Sequence, residues 1–342
     1  MTIDRRALLS GLSAALLLPR AARAATVTDA TGRAIVIPDK VERIFAAGPP
    51  ASILVYTFAP ELLVGWTRKH TPEQCEFLGA GACDKPEVGR LTGRGNTTNL
   101  EVLLQLKPDL VLDVGTVDDT YISLATRVQE QTGIPYALLD GRFDAIVPVY
   151  RKLGELTHRE TQAEQFAQFA DNTIKTIKGR IEKIPDGQRP RVYYGRGPRG
   201  LETGLAGSIN TETIEFLGAR NVAAERRGGI ATVSVEQVLA WNPDVIVTIE
   251  PAFASSVRTD PVWAPIKAVQ TGRVHLSPRL PFGWVDFPPS VNRLIGLWWL
   301  AKILYPDHFP ENLKPLTRDF YGQFYHMTPT EAQIDSVLAD AT

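Results

Sequence analysis

Apolar positions along this chain switch twice from a helical spacing to an unbroken strand-like run, in the same way each time. From Glu101 the apolar residues keep helical spacing to Leu106, Lys107-Pro108-Asp109 interrupts, and Leu110-Val111-Leu112 follows without a polar break. The second copy starts at Glu236, reaches Trp241, is interrupted by Asn242-Pro243-Asp244 and resumes as Val245-Ile246-Val247. Each copy reads as an amphipathic helix, a Pro-Asp turn and a buried strand. The glutamates, Leu104 and Leu239, the prolines and the aspartates align without a gap. Two such copies predict two similar α/β lobes with a cleft between them, each lobe carrying an outward glutamate at the start of a matching helix.

The rest of the pattern extends this. Strands are predicted over 34–37, 43–47, 63–66, 109–114 and 136–139, with a helix over 51–58 after the tight Gly48-Pro49-Pro50 loop. Alternating helices and near-continuous apolar strands favour covered, largely parallel sheets. The longest helical pattern runs over 158–184, with Phe166, Phe169, Ala170, Thr173, Ile174 and Ile177 on one face. At 1.5 Å per residue, 25 residues reach roughly 37 Å, enough for a strut between lobes. Beyond it come strands over 191–194, 244–249 and 274–277 and helices over 210–217, 234–241, 290–304 and 330–338. The predicted fold class is therefore α/β, with two Rossmann-like lobes of parallel sheet joined by one long rigid helix. The division is 1–24 export signal, 25–157 first lobe, 158–184 interlobe helix and 185–342 second lobe.

The amino end reads as a signal because Arg5-Arg6 precedes an apolar run from Ala7 to Leu18 and the small residues around Ala24 suit cleavage there. That run is shorter than the ~20 residues of a membrane span. The arginine pair fits the twin-arginine route, with general secretion as the alternative. No cysteine follows closely enough to carry a lipid, so the expected location is the periplasm without an anchor. Removing four basic residues and one acidic residue takes the formal charge from −1 to −4. Such a balance argues against a nucleic-acid partner. Cys75 and Cys83 lie close together, and in an oxidising compartment a local disulfide is the preferred reading.

Candidate chemistry is sparse. Gly195-Arg196-Gly197-Pro198-Arg199-Gly200 matches the dinucleotide fingerprint in letters, but Leu201 to Ser208 is too rich in glycine to open the helix that a pyrophosphate needs. A glycine-rich hairpin fits better, and from it Arg196 and Arg199 could present donors to an anion. No serine has a nucleophile-elbow setting, and the five histidines lack metal-ligand spacing. His70, in Arg68-Lys69-His70, stays a candidate, whereas His275 reads as a core residue. In the aromatic loop from Pro281 to Pro289, Trp284 is a candidate ligand contact and Phe287 is read as a core plug. Arg94 and Asn96 precede the Glu101 helix and either touch ligand or belong to its cap, for which Asn99 is suited. Glu101 and Glu236 individually need no more explanation than favourable charge in a first helical turn.

With Arg43-Ile44, Leu63-Val64-Gly65, Asn99-Leu100-Glu101 through Pro108-Asp109, Phe216-Leu217-Gly218-Ala219-Arg220-Asn221 and Val235-Glu236 through Pro243-Asp244, the chain resembles the class III, helical-backbone periplasmic binding proteins of ABC importers for ferric siderophores and cobalamin. The resemblance implies a monomer that is not an enzyme, carries no permanent cofactor, and delivers a small metal complex to an inner-membrane permease dimer. It also implies that Glu101 and Glu236 dock into arginine pockets of that permease. The ligand it implies is a metal chelate, a ferric siderophore first, held by Tyr194, Arg196, Arg199, Trp284, Arg94 and Trp66. Nickel or cobalt complexes, cobalamin, haem, and molybdate or tungstate are the alternatives. An exported cofactor-binding oxidoreductase and a sensor module with the same fold are competing readings.

Overall fold

The computed structural model describes residues 25–93 and 95–339. Strands β1 (Ala25–Thr28) and β2 (Ala34–Ile37) form an antiparallel hairpin, and β3 (Ile44–Ala46), β4 (Leu110–Gly115) and β5 (Tyr136–Asp140) form a parallel sheet in that order. Around it lie α1 (Pro49–Phe58), α2 (Pro72–Cys75), α3 (Leu100–Leu106), α4 (Asp119–Thr132) and α5 (Ile146–Thr157). Helix α6 (Glu160–Ile181) then leads to the second lobe. There β6 (Arg191–Gly195), β7 (Glu202–Gly204), α7 (Glu212–Phe216), β8 (Arg220–Asn221), β9 (Ile230–Thr232), α8 (Val235–Trp241), β10 (Val245–Thr248), α9 (Pro251–Ser256), α10 (Lys267–Gln270) and β11 (Val274–Leu276) follow. The second parallel sheet has the order β11-β10-β6-β8, while β7 and β9 pair separately. Helices α11 (Arg293–Leu304), α12 (Leu313–Phe324) and α13 (Glu331–Ala339) close the chain.

Hydrogen bonding explains the sequence repeat. Asn99 and Ser234 cap α3 and α8 by accepting from Val102 N and Gln237 N. Lys107 (φ 46°) and Asn242 (φ 42°) end the helices in the left-handed region, and the prolines forbid continuation. The aspartates then clamp the neighbouring strand. Asp109 N donates to Arg43 O at 2.8 Å, and Arg43 N donates to Asp109 Oδ2 at 2.9 Å. Asp244 and Arg191 make the same two bonds at 2.8 and 2.9 Å. The two glutamates take no part in this clamp and are exposed. Each sits in the first turn of a helix running antiparallel to the strand after it, which places it beside the carboxyl end of its sheet.

Period-two alternation divides each sheet between two cores. In the first lobe Phe45, Val111 and Tyr136 enter a local cluster, while Ile44, Leu110, Leu112, Ala137 and Leu139 face the other way. In the second, Tyr193 and Ile246 enter a local cluster, while Val192, Tyr194, Val245 and Val247 face the other way. The two opposite faces share a single core, built on Ala163, Phe166, Ala167, Ala170, Ile177 and Ile181 of α6. Helix α6, about 33 Å long, is thus packed along much of its length. Against α5 the approach is close, and a Cβ on Gly154 would lie 2.6 Å from the Ala163 side chain.

The carboxyl-terminal segment also binds the lobes together. Tyr56 Oη donates to Tyr325 O at 2.7 Å, Gln333 Nε2 donates to Glu76 O at 3.1 Å, and Phe166 stacks edge-on against Phe324. Residues after 312 therefore pack on first-lobe elements as well as on the second lobe to which the sequence reading assigns them. Helices α2, α4, α5, α9, α10 and α12 are absent from that reading. Helix α4 keeps Tyr121, Leu124, Ala125 and Val128 at helical spacing, although only Ala125 and Val128 are buried. Over 63–66 the expected strand is reduced to isolated bridges, Leu63 with Ile44 and Trp66 with Glu87. The predicted export signal lies outside the described residues.

A buried ion pair locks the lobes at one end. The Arg293 guanidinium donates to Gly141 O at 2.8 Å, to Ile209 O at 3.3 Å and to Glu212 Oε2 at 3.0 Å, with the Phe143 ring centroid 5.3 Å away. Glu212 Oε2 also accepts from Phe143 N at 2.8 Å. Burial pushes the Glu212 carboxyl up, and Arg293 opposes that shift. Removing one member strands the other charge in the interior, at a cost of about 3–5 kcal/mol. Arg293→Ala should lose about that much stability in urea unfolding, and a change below about 1 kcal/mol would contradict the role given to this pair.

Candidate ligand-binding cleft

Open α/β sheets place ligands beyond the carboxyl ends of their strands, and here those ends meet between the lobes. A cavity of ≈ 290 Å³ lies there, lined by Arg68, Thr71, Glu73 and Gln74 from the first lobe and by Ile249, Glu250, Pro251, Arg279, Leu280, Gly283, Asp286 and Phe287 from the second. A second cavity of ≈ 470 Å³ lies between Thr116, Asp140 and Arg142 on one side and Gly207, Ile209 and Glu212 on the other. In the second cavity the charges are paired internally, Asp140 with Arg142 at 2.7 Å and Glu212 with Arg293.

The floor of the first cavity is a polar network around Asp286, a fully buried carboxylate. Asp286 accepts from Tyr194 Oη at 2.7 Å, Asn210 Nδ2 at 2.8 Å and Phe287 N at 2.6 Å. Arg196 Nε lies 3.2 Å from the same carboxylate. Burial and the adjacent carboxylate hold Tyr194 well above its ordinary range. Glu250 is engaged too, its Oε1 accepting from Gly197 N at 3.3 Å. Facing this floor, Arg68 lies over the Phe287 ring, 5.4 Å from its centroid. Burial and the nearby Arg90 cation both depress Arg68, and no carboxylate pairs with it among the described residues.

The glycine motif after β6 is a hairpin, as its composition implies. Arg196 and Glu202 pair across it through both backbone bonds, and Gly200 N donates to Gly197 O at 2.8 Å. Gly200 has φ +68°, and a Cβ there would fall 2.3 Å from the Phe253 ring. No helix opens at this point, so no pyrophosphate cradle forms. Tyr194 and Arg196 are brought together at Asp286, but Arg199 is exposed on the hairpin and does not line the cavity.

Both tryptophans expected at the ligand are spent on packing. Trp284 is fully buried, and Trp66 packs on Tyr56, His70 and Phe282 while its Nε1 donates to Ala82 O at 2.7 Å. Phe287 reverses its expected role, being 55% exposed at the cavity wall instead of filling the core. Arg94 lies outside the described residues. Arg68, Gln74, Glu250 and Arg279 escaped the sequence reading because each sits in a loop or short helix with no periodicity to orient it. For Arg68 the one available signal was its place in the cationic Arg68-Lys69-His70 run.

A family model described as periplasmic binding protein matches residues 81–279, more than half of the chain. The chain belongs to the periplasmic binding protein family. Within it, this binding protein is of class III, the helical-backbone type that serves ABC importers. It is 27% identical to the molybdate-binding protein MolA of Haemophilus influenzae over 93% of this chain and 94% of that protein. The structure of MolA with molybdate bound is similar, with a TM-score of 0.73, 25% identity, and coverage of 90% of this chain and 99% of MolA. An ABC transporter solute binding protein from Sulfurospirillum deleyianum gives a TM-score of 0.83 at 28% identity, covering 92% and 99% of the two chains. Among the described residues no helix of the binding protein is long and apolar enough to cross a membrane, and no cluster of three metal-ligating side chains occurs.

Cys75 and Cys83 form a disulfide, which fastens the short α2 at the cavity's edge. From there Gln74 Nε2 reaches Pro281 O of the opposite lobe at 3.0 Å. Closing a loop this short is worth about 2–3 kcal/mol. Replacing both cysteines by serine should therefore lower stability by about 2 kcal/mol in urea unfolding, and an unchanged midpoint would contradict the estimate. His70 and His275 are each depressed to about 4 by burial. The unfolded chain therefore binds more protons below the ordinary histidine range, so stability should be full above about pH 6.5 and decline towards pH 4. In His70→Phe that decline should be shallower, and an identical pH profile would rule out a contribution from this ring.

Proposed function

We propose that this binding protein captures a small anion in the first interlobe cavity and hands it to an ABC permease. A tetrahedral oxyanion of the molybdate or tungstate type fits best, ahead of the ferric siderophore that the family resemblance puts first. The observation that carries this reading is Arg68, an exposed guanidinium on the cavity wall whose neighbours are an aromatic ring and another cation. Arg279 lines the same cavity from the other lobe. The Asp286 carboxylate is satisfied by its own lobe and Glu250 accepts from Gly197 N, so Arg68 faces the ligand with Glu73 as the other exposed charge of the first-lobe wall. The likeness to MolA over nearly the whole chain supports the order of preference.

Isothermal titration with molybdate, tungstate, sulfate, a ferric hydroxamate, cobalamin and haemin tests this directly. Molybdate or tungstate should bind, and Arg68→Ala should weaken that binding at least about tenfold, the worth of one charge-assisted hydrogen bond. Preference for the ferric chelate over every oxyanion would restore the siderophore reading.

Glu101 and Glu236 are proposed as the permease contacts. Their exposure and their equal placement in the two lobes support this role. Two separated charge pairs would orient the loaded protein on a symmetric partner and make docking sensitive to ionic strength. Glu101→Ala combined with Glu236→Ala should leave ligand affinity unchanged and abolish uptake in reconstituted vesicles. Uptake at the wild-type rate would defeat the assignment.

A further inference from the structure

Phe287 is held in an unfavourable position by structure built around it. The exposed large apolar side chains among the described residues include one aromatic ring, that of Phe287. Its φ of 69° lies in the left-handed region, which bulky side chains rarely adopt. Strain of this kind persists only where the surroundings over-determine it, and it gathers at ligand sites. Here Phe287 N donates to Asp286 Oδ1 at 2.6 Å, and that carboxylate is anchored in turn by Tyr194, Asn210 and Arg196. Beneath the turn, a Cβ on Gly283 would lie 2.0 Å from Asp286 O, and Asn292 Nδ2 donates to Pro288 O at 3.2 Å. The loop therefore has little room to swing, and the ring is presented rigidly.

The ring meets Arg68 of the opposite lobe face to cation, 5.4 Å from centroid to guanidinium carbon. An aromatic face attracts a cation without neutralising it. A carboxylate in the same place would hold Arg68 equally well but cancel the charge that an anion needs. Phe287 thus seats the guanidinium while leaving its charge available, and its bulk closes one side of the cavity.

We propose that Phe287 is a specificity-determining residue, a fixed aromatic wall that positions Arg68 for a compact anion and excludes bulky anionic complexes. This inference rests on the anion-binding reading above. The probes are molybdate and the bulkier molybdenum(VI) bis-catecholate dianion, titrated into the full chain. Phe287→Gly removes the ring and suits the positive φ, so the thermal midpoint should hold or rise. Molybdate affinity in that variant should fall about threefold to fivefold as Arg68 loses its seat, while affinity for the catecholate complex should rise at least about tenfold. Phe287→Trp, which keeps an aromatic face, should hold molybdate affinity at or above that of the wild type. An unchanged ratio of the two affinities in Phe287→Gly, with wild-type molybdate binding intact, overturns the wall and leaves the anion reading standing. Failure of the wild type to bind either anion overturns both.

Discussion

The inner faces of both parallel sheets are packed into one apolar core along α6, and the shape of the cleft depends on that shared packing. Ile44, Leu110 and Leu112 of the first sheet and Val192, Val245 and Val247 of the second belong to the same cluster as Phe166, Ala170 and Ile177 of the long helix. Rotating one lobe against the other would pull apart contacts that are close-packed and cannot deform continuously. The Arg293–Glu212 pair, Gln74 on Pro281 and Tyr56 on Tyr325 add polar ties at different points of the same junction. A preformed cleft follows, in which small adjustments replace wide hinge closure.

A preformed cleft gives meaning to where its charges point. Buried carboxylates at the strand ends are saturated from within their own lobes, Asp113 by Thr92, Val114 N and Tyr136, and Asp286 by Tyr194, Asn210 and Phe287 N. These networks fix the loops that carry the cavity wall, which is lined by Arg68, Glu73, Arg279 and the Phe287 ring. Groups preorganised in this way need no rearrangement on binding, which lowers the ordering cost that a ligand must offset.

The architecture was legible in the sequence wherever two independent signals agreed. The duplicated helix–Pro-Asp–strand unit announced two related lobes because its aspartates make the same backbone clamp in each, on Arg43 and on Arg191. The long helix showed its apolar face at the correct spacing, with Phe166, Ala170 and Ile177 inward. Function-bearing side chains were less visible. Trp284 and Phe287 lie three residues apart in an irregular loop, and only the backbone path through Gly283 and the left-handed Phe287 decides that the first is buried and the second exposed. Likewise Arg68 and Arg279 meet one cavity from opposite lobes, a proximity set by tertiary packing.

Rigidity of the interlobe junction is best measured by pulsed electron–electron spin resonance, with spin labels at the exposed positions Glu130 of the first lobe and Gln270 of the second. The shared core predicts a single narrow distance distribution in the free protein, moving by less than about 2 Å when molybdate is added. A broad or bimodal distribution, or a ligand-driven shift well beyond that, would contradict a cleft held open by common packing.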